Sequence, residues 1–331
     1  MRAVSIKKPG NSEQLEIREH TMPKIKEGDL LVHVKASAIN RTDIMTRENK
    51  QLAEPYPILG VEVAGVVVEN SRSSDNRLAP GTRVAGLVNH GGYAEYVAMP
   101  SNRAILIPDN MSFEAAAAIP EVFLTAYQTL YWLGELKSDE TVLIHAGASG
   151  VGTAAIQLAK KMTKAQVIVT AGSNEKLELC KALGADKLIN YKEEAFDQIV
   201  LDYTAQKGVD LILDFIGASY WEKNLTSLKV DGRWILIGVL GGTVVEKINL
   251  GKLLQKRITL KGTLLTPRSD DYKARLTNEF IEKVMPYFEK ELIKPIVDSV
   301  FSLRDVAKAH RYMEDNKNCG KIILKIEDQS E

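Results

Sequence analysis

Between residues 121 and 263 short runs rich in Val, Ile and Leu alternate with stretches of helical periodicity, and nothing else in the chain constrains its fold as tightly. The extended runs cover residues 141–145, 166–170, 187–190, 209–214, 233–237 and 257–261. Helical patterns at 151–162, 174–183, 195–205 and 221–228 connect most of them. Apolar strands separated by helical crossovers predict a parallel sheet covered on both faces. Six strands is also the number in the two-halved dinucleotide-binding fold.

The flanking regions read differently. Extended runs at 30–36, 61–69, 83–87 and 93–98 are punctuated by Gly28-Asp29, Pro80-Gly81 and Gly91-Gly92, which predicts a small, mostly antiparallel β domain. The last 70 residues carry helical patterns at 271–288 and 303–315 and a final strand at 321–326. They are too few and too mixed for a third domain, so they are expected to return and complete the first. The predicted division is 1–120 plus 264–331 for one domain and 121–263 for the other. A length of 331 residues suits two domains.

Charge and cysteine content narrow the function classes. Lys plus Arg is 43 and Asp plus Glu is 43, so no basic excess is available to neutralise phosphates, and a dedicated nucleic-acid binder is not expected. Cys180 and Cys319 are the only cysteines, too few for a disulfide framework or a four-cysteine zinc site. Cys180 falls in an apolar-periodic stretch and reads as a helix core thiol, and Cys319 in a polar turn. The start, MRAVSIKKPG, reads as a strand rather than a leader. The most apolar window, 113–133, is broken by Glu114, Glu121 and Pro120 and makes a poor membrane span. A cytoplasmic location is the expectation.

The strongest local signal is Thr141-Val142-Leu143-Ile144-His145-Ala146-Gly147-Ala148-Ser149-Gly150-Val151-Gly152, a buried strand feeding a glycine-rich turn that opens a helix. Glycines let the backbone approach a pyrophosphate, and the free N–H groups of the helix's first turn bind the anion. Gly147 and Gly152 match the first and third glycines of G-x-G-x-x-G, while Ser149 replaces the second. At the end of the next strand, Ala171 and Gly172 stand where an NAD-specific fold places Asp or Glu against the ribose. They leave room for a 2′-phosphate, to which Ser173 offers a hydroxyl and Lys176 a point charge. Lys176 as a merely solvated helix residue is the alternative. The expected cofactor is NADPH.

Several further segments carry a resemblance: Ala38-Ile39-Asn40-Arg41-Thr42-Asp43, Ile58-Leu59-Gly60-Val61-Glu62-Val63-Ala64-Gly65, Ala116-Ala117-Ala118-Ile119-Pro120-Glu121, Leu213-Asp214-Phe215-Ile216-Gly217 and Asp231-Gly232-Arg233-Trp234. With the glycine loop, and in this order, they resemble the zinc-free NADPH:quinone oxidoreductases, the zeta-crystallin group of the medium-chain dehydrogenase/reductases. Within that group the p53-inducible branch looks most similar. The resemblance implies an α/β fold, a GroES-like β-rich domain plus a Rossmann doubly wound six-stranded parallel sheet, and a homodimer paired through the sheet edge near 241–261.

Zinc-dependent members carry Cys where this chain has Asn40 and His where it has Val61, so no metal is expected. The resemblance implies that Asn40 contacts the nicotinamide ribose or the acceptor oxygen and that Asp43 orients its loop. It places Thr125 facing the nicotinamide and Tyr191 near the adenosine. Gly217, Ile237, Gly238 and Val239 would lie at strand ends facing the cofactor, with Leu264 and Leu265 closing the pocket. Where many relatives have an acceptor-site Tyr, this chain has Gln51, and Tyr56 is the substitute candidate. The implied activity is reduction of quinones or related conjugated carbonyls. An enoyl-thioester or alkenal reductase, with Tyr56 as proton donor, and a redox-silent NADPH-binding protein are the alternatives.

Overall fold

The computed structural model describes residues 1–72 and 76–327. It forms two compact units: Met1–Leu124 with Thr266–Glu331, and Thr125–Leu265. The sequence expectation put the divisions at 120/121 and 263/264; the first falls instead within the helix Pro120–Tyr127.

The second unit holds a six-stranded, all-parallel sheet. Its spatial order is Lys187–Asn190, Gln166–Ala171, Thr141–Ile144, Val209–Asp214, Leu228–Leu236 and Thr259–Gly262. Numbered along the chain this is 3-2-1-4-5-6, the order that leaves a crevice at the carboxyl ends of the first and fourth strands. Thr141–Ile144 and Val209–Asp214 are buried along their whole length, which is why they read as largely apolar runs, the second interrupted by Asp210 and closed by Asp214. Leu143, Ile168, Ile189, Phe196, Val200, Ile212 and Trp234 pack into one cluster that takes in the helix Phe196–Tyr203, with Trp221 of the helix Trp221–Ser227 against it. This is the Rossmann architecture.

The first unit is built on a seven-stranded sheet. Along its path lie Val297–Ser302, Lys321–Lys325, Asp29–Ala38, Glu62–Asn70, Arg83–Leu87 and Ile105–Leu106, and Tyr96–Pro100 pairs with Asp29–Ala38. Every pairing is antiparallel except Val297–Ser302 with Lys321–Lys325. The C-terminal strand Lys321–Lys325 pairs directly with Asp29–Ala38, so the tail completes the β-rich unit. With this sheet the unit has the GroES-like fold.

One element differs from expectation. The helix predicted over 271–288 is two, Asp270–Lys283 and Met285–Glu289. Pro286 cannot donate a backbone hydrogen bond and its ring clashes with the preceding turn, so the first helix stops before it. Among the described residues no helix is long and apolar enough to cross a membrane.

Candidate active site

In the second unit the strand Thr141–Ile144 ends at buried His145, the chain turns through Ala146 at φ 49°, and the helix Gly150–Leu158 begins. The Ser149 side chain caps that helix by accepting a hydrogen bond from the Gly152 amide at 3.1 Å, and its hydroxyl hydrogen remains to donate. A Cβ on Gly152 would lie 2.4 Å from the Ala146 carbonyl oxygen and 2.6 Å from that of Gly147. On Gly147 it would lie 2.9 Å from Val169 Cβ and 3.1 Å from the buried Cys180 Sγ. Only glycine allows this turn to close. The first-turn amides of Gly150 and Val151 precede any carbonyl of their own helix and face outward as anion donors. The cradle fits a pyrophosphate.

The next strand, Gln166–Ala171, ends at Gly172 and the helix Asn174–Ala182. Ser173 caps this helix, its Oγ 3.4 Å from the Lys176 amide. A Cβ on Gly172 would stand 2.8 Å from the Tyr191 hydroxyl and 3.2 Å from Lys192 Cε. The acid-free tip therefore gathers Ser173, Lys176, the half-exposed Tyr191 and an exposed second cation, Lys192, which the sequence reading did not single out. At the fourth and fifth strand ends the Ile237 amide donates to the Asp214 carbonyl at 2.7 Å and the Leu240 amide to that of Phe215 at 3.1 Å. This sets Gly238 against Phe215 and Gly217, at φ 80°, against Val239 and Gly242. Thr125 is buried, Leu265 is buried, and Leu264 is exposed.

In the first unit Asn40 ends the strand Asp29–Ala38 and precedes the helix Arg41–Glu48. Its amide nitrogen donates to Glu62 Oε1 at 2.8 Å and to the Ala38 carbonyl at 3.3 Å. Its oxygen accepts from Lys321 Nζ at 2.6 Å. That ammonium also donates to the Ile39 carbonyl at 3.0 Å and pairs with Glu62 Oε1 at 2.8 Å. Glu62 Oε2 accepts from the Glu121 amide at 2.8 Å. Asp43 accepts from the amides of Asn40 and Gly60 and from the Tyr93 hydroxyl at 2.9–3.0 Å. Burial pushes the Asp43 carboxyl up to about 6 against these hydrogen bonds, and burial with the Asp43 charge pushes the Tyr93 phenol well above its ordinary value. Asp43 thus ties the Asn40 turn to the Gly60 turn.

Tyr56 is half-buried against the apolar core, and burial, with neighbouring Glu54, raises its phenol. Among the described residues none of the hydrogen bonds around Asn40 and Asp43 reaches it. Sequence reasoning missed Glu62, Lys321 and Tyr93 as site residues. A charge at the head of the apolar run Val63–Val68 was the available signal for Glu62. No local signal pairs it with Lys321.

Family models match both units. Residues 26–109 match the alcohol dehydrogenase GroES-like domain and residues 150–282 the zinc-binding dehydrogenase domain. The synaptic vesicle membrane protein VAT-1 homolog-like of Mus musculus is 32% identical over 99% of this chain and 82% of its own length. The chain belongs to the medium-chain dehydrogenase/reductases. Within that family its relatives are quinone oxidoreductases and VAT-1-like proteins. Quinone oxidoreductase-like protein 2 of Bos taurus is 29% identical over 94% of this chain and 89% of its own length. The crystal structure of Escherichia coli quinone oxidoreductase complexed with NADPH superimposes with a TM-score of 0.87 at 29% identity, covering 98% of this chain and 100% of that one. These relatives support the broader branch and do not single out the p53-inducible group that the sequence resembled.

The zinc in one model's name does not fit this donor set. Lys321 already places an ammonium on both Asn40 and Glu62, and Val61 offers no ligand atom. Among the described residues no three His, Cys, Asp or Glu gather in a metal-binding cluster.

Proposed function

We propose that this medium-chain oxidoreductase is a zinc-independent, NADPH-dependent reductase of quinones or related conjugated carbonyls. The observation that carries the cofactor choice is the strand tip at Ala171–Gly172, without an acid and flanked by Ser173, Lys176, Tyr191 and Lys192. NAD would leave the donors of Ser173, Lys176 and Lys192 without a 2′-phosphate partner. Bound there, NADPH supplies the hydride. The amides around Gly147–Gly152 hold its pyrophosphate, and the loops of Gly217 and Val239 border the same crevice.

The donor inventory around Asn40 favours quinones. Both amide hydrogens of Asn40 point at Glu62 and Ala38, all three hydrogens of Lys321 are engaged, and the Tyr93 hydroxyl donates to Asp43. What Asn40 offers a ligand is an Oδ1 lone pair, which suits a hydroxyl such as a ribose OH. A quinone reduced to an aromatic product asks little of a proton donor; an enolate needs one. The second reading, reduction of a conjugated double bond, draws on the 2-methylene-furan-3-one reductase of Solanum lycopersicum, 31% identical over 98% of this chain. It would need Tyr56 or water as donor.

Following dihydronicotinamide absorbance with a naphthoquinone and an α,β-unsaturated ketone in parallel, with NADH as control, tests the assignment. Quinone turnover with NADPH preference is expected. Turnover of the enone alone moves the assignment to double-bond reduction. NADPH binding without oxidation by either acceptor would make the chain a redox-silent binding protein.

A homodimer is part of the same proposal. Thr259–Gly262 is an edge strand, and Leu240, Val244, Leu250, Leu254, Leu260 and Leu264 around it are exposed. Light scattering should give twice the 36.6 kDa chain mass.

A further inference from the structure

Four fully or almost fully buried polar side chains of the second unit form a directional relay beneath the strand ends. Asp214 closes the strand Val209–Asp214. Its Oδ1 accepts from the amides of Ile216 at 2.7 Å and Gly217 at 3.1 Å. Its Oδ2 accepts from Asn224 Nδ2 at 3.1 Å and Trp234 Nε1 at 3.0 Å. Asn224 therefore turns its oxygen to His145 Nε2, 2.7 Å away. An amide oxygen only accepts, so Nε2 carries the imidazole hydrogen, and Nδ1 accepts from the Thr170 hydroxyl at 2.9 Å. Thr170 in turn takes the Gly147 amide on its backbone carbonyl at 2.9 Å. Thr170, His145, Asn224 and Asp214 expose no more than 1% of their surface.

The two ends of this relay are the two loops that a dinucleotide must meet together. His145 leads into the Gly147–Gly152 turn, and Asp214 holds the amides that shape the Gly217 turn. We infer that the Thr170–His145–Asn224–Asp214 relay positions the dinucleotide site by setting the phosphate loop and the Gly217 loop in one register, with Asp214 as the positioning residue that anchors it. The inference rests on the reading that this unit binds NADPH. The relay touches no ligand; it acts through the loops. Breaking it leaves each loop folded but lets their spacing drift, so a ligand spanning both suffers and a ligand held at one end does not.

The experiment is calorimetric titration of NADPH and of adenosine 2′,5′-bisphosphate, which lacks the nicotinamide half, into the full chain and into Asn224→Leu and Thr170→Val. The near-isosteric Thr170→Val keeps the test open should Asn224→Leu fold poorly. Each variant should bind NADPH about tenfold more weakly, ~1.4 kcal/mol, with the bisphosphate unchanged within about twofold. Equal weakening of both ligands, or no weakening of NADPH, overturns the inference. Nitrogen-15 NMR of His145 supplies a reading independent of binding: a hydrogen on Nε2 supports the relay, and one on Nδ1 overturns its direction. If the unsubstituted chain does not bind NADPH, the cofactor reading fails before any substitution is made, and the relay's role falls with it.

Discussion

In the unit of residues 125–265 the proposed pyrophosphate cradle is backbone, shaped by glycines at 147 and 152 and by a capped helix start. In the other unit the polar centre is built on side chains, with Asn40, Asp43, Glu62, Tyr93 and Lys321 held by one another and by backbone groups of Ala38, Ile39, Asn40, Gly60 and Glu121. The first kind of site is sterically sharp and electrostatically mild. The second tolerates shape changes but depends on each charge keeping its partner. Substitutions should therefore fail by different routes in the two units: chiefly through binding in one, through unfolding or altered pH response in the other.

The largest effect should follow Lys321→Met. It leaves the fully buried Glu62 carboxylate without its cation, and the expected cost is ~3–5 kcal/mol of unfolding free energy in urea. Adding Glu62→Gln should return much of it. A loss under ~1 kcal/mol would place the pair among solvent-screened ion pairs and erase the contrast.

Next is the pH response of Asp43. Its folded value of about 6 lies above that of an unfolded carboxyl, so between about pH 4 and 6 the folded chain binds the extra proton. This contribution to stability is present at low pH and is lost, by up to ~3 kcal/mol, as pH rises through about 6. Denaturation curves of Asp43→Asn should lack that decline. A decline unchanged in the variant assigns it to another group.

Gly152→Ala probes the other unit. Its methyl must displace two backbone carbonyls, so NADPH binding should weaken about 100-fold, ~2.7 kcal/mol, and the thermal midpoint should fall as well. Retained affinity would show that the loop yields more readily than its geometry suggests. The smallest effect belongs to Lys192→Gln: about fivefold weaker NADPH binding and unchanged NADH binding in the same titration. Equal loss of both cofactors would remove Lys192 from the phosphate pocket.

Legibility in the sequence divides along the same line. The strand-turn-helix at 141–158 was readable because strand, glycines and helix are contiguous, and a backbone site is written where it acts. The six-stranded sheet was readable for the same reason, each buried strand being one short, largely apolar run. Pro286 shows the weakness of periodicity: apolar spacing continues across it, while the missing N–H ends the helix. Asn40 and Asp43 were found by resemblance, but their partner Lys321 lies in the last strand and meets them only because Lys321–Lys325 pairs with Asp29–Ala38. Lys192 was missed because its proximity to Gly172 depends on two parallel strands ending side by side.

The ammonium of Lys321 has a consequence for how the protein is made and kept. The zinc-dependent relatives must acquire an ion after translation and can lose it to a competing ligand. Here the positive charge beside Asn40 is covalently part of the last strand, delivered when Lys321–Lys325 joins the sheet. Formation of that strand and charging of the centre are one event, so a preparation passed through strong chelators should keep this charge, and a chain cut before residue 321 should lose both the strand and the cation together.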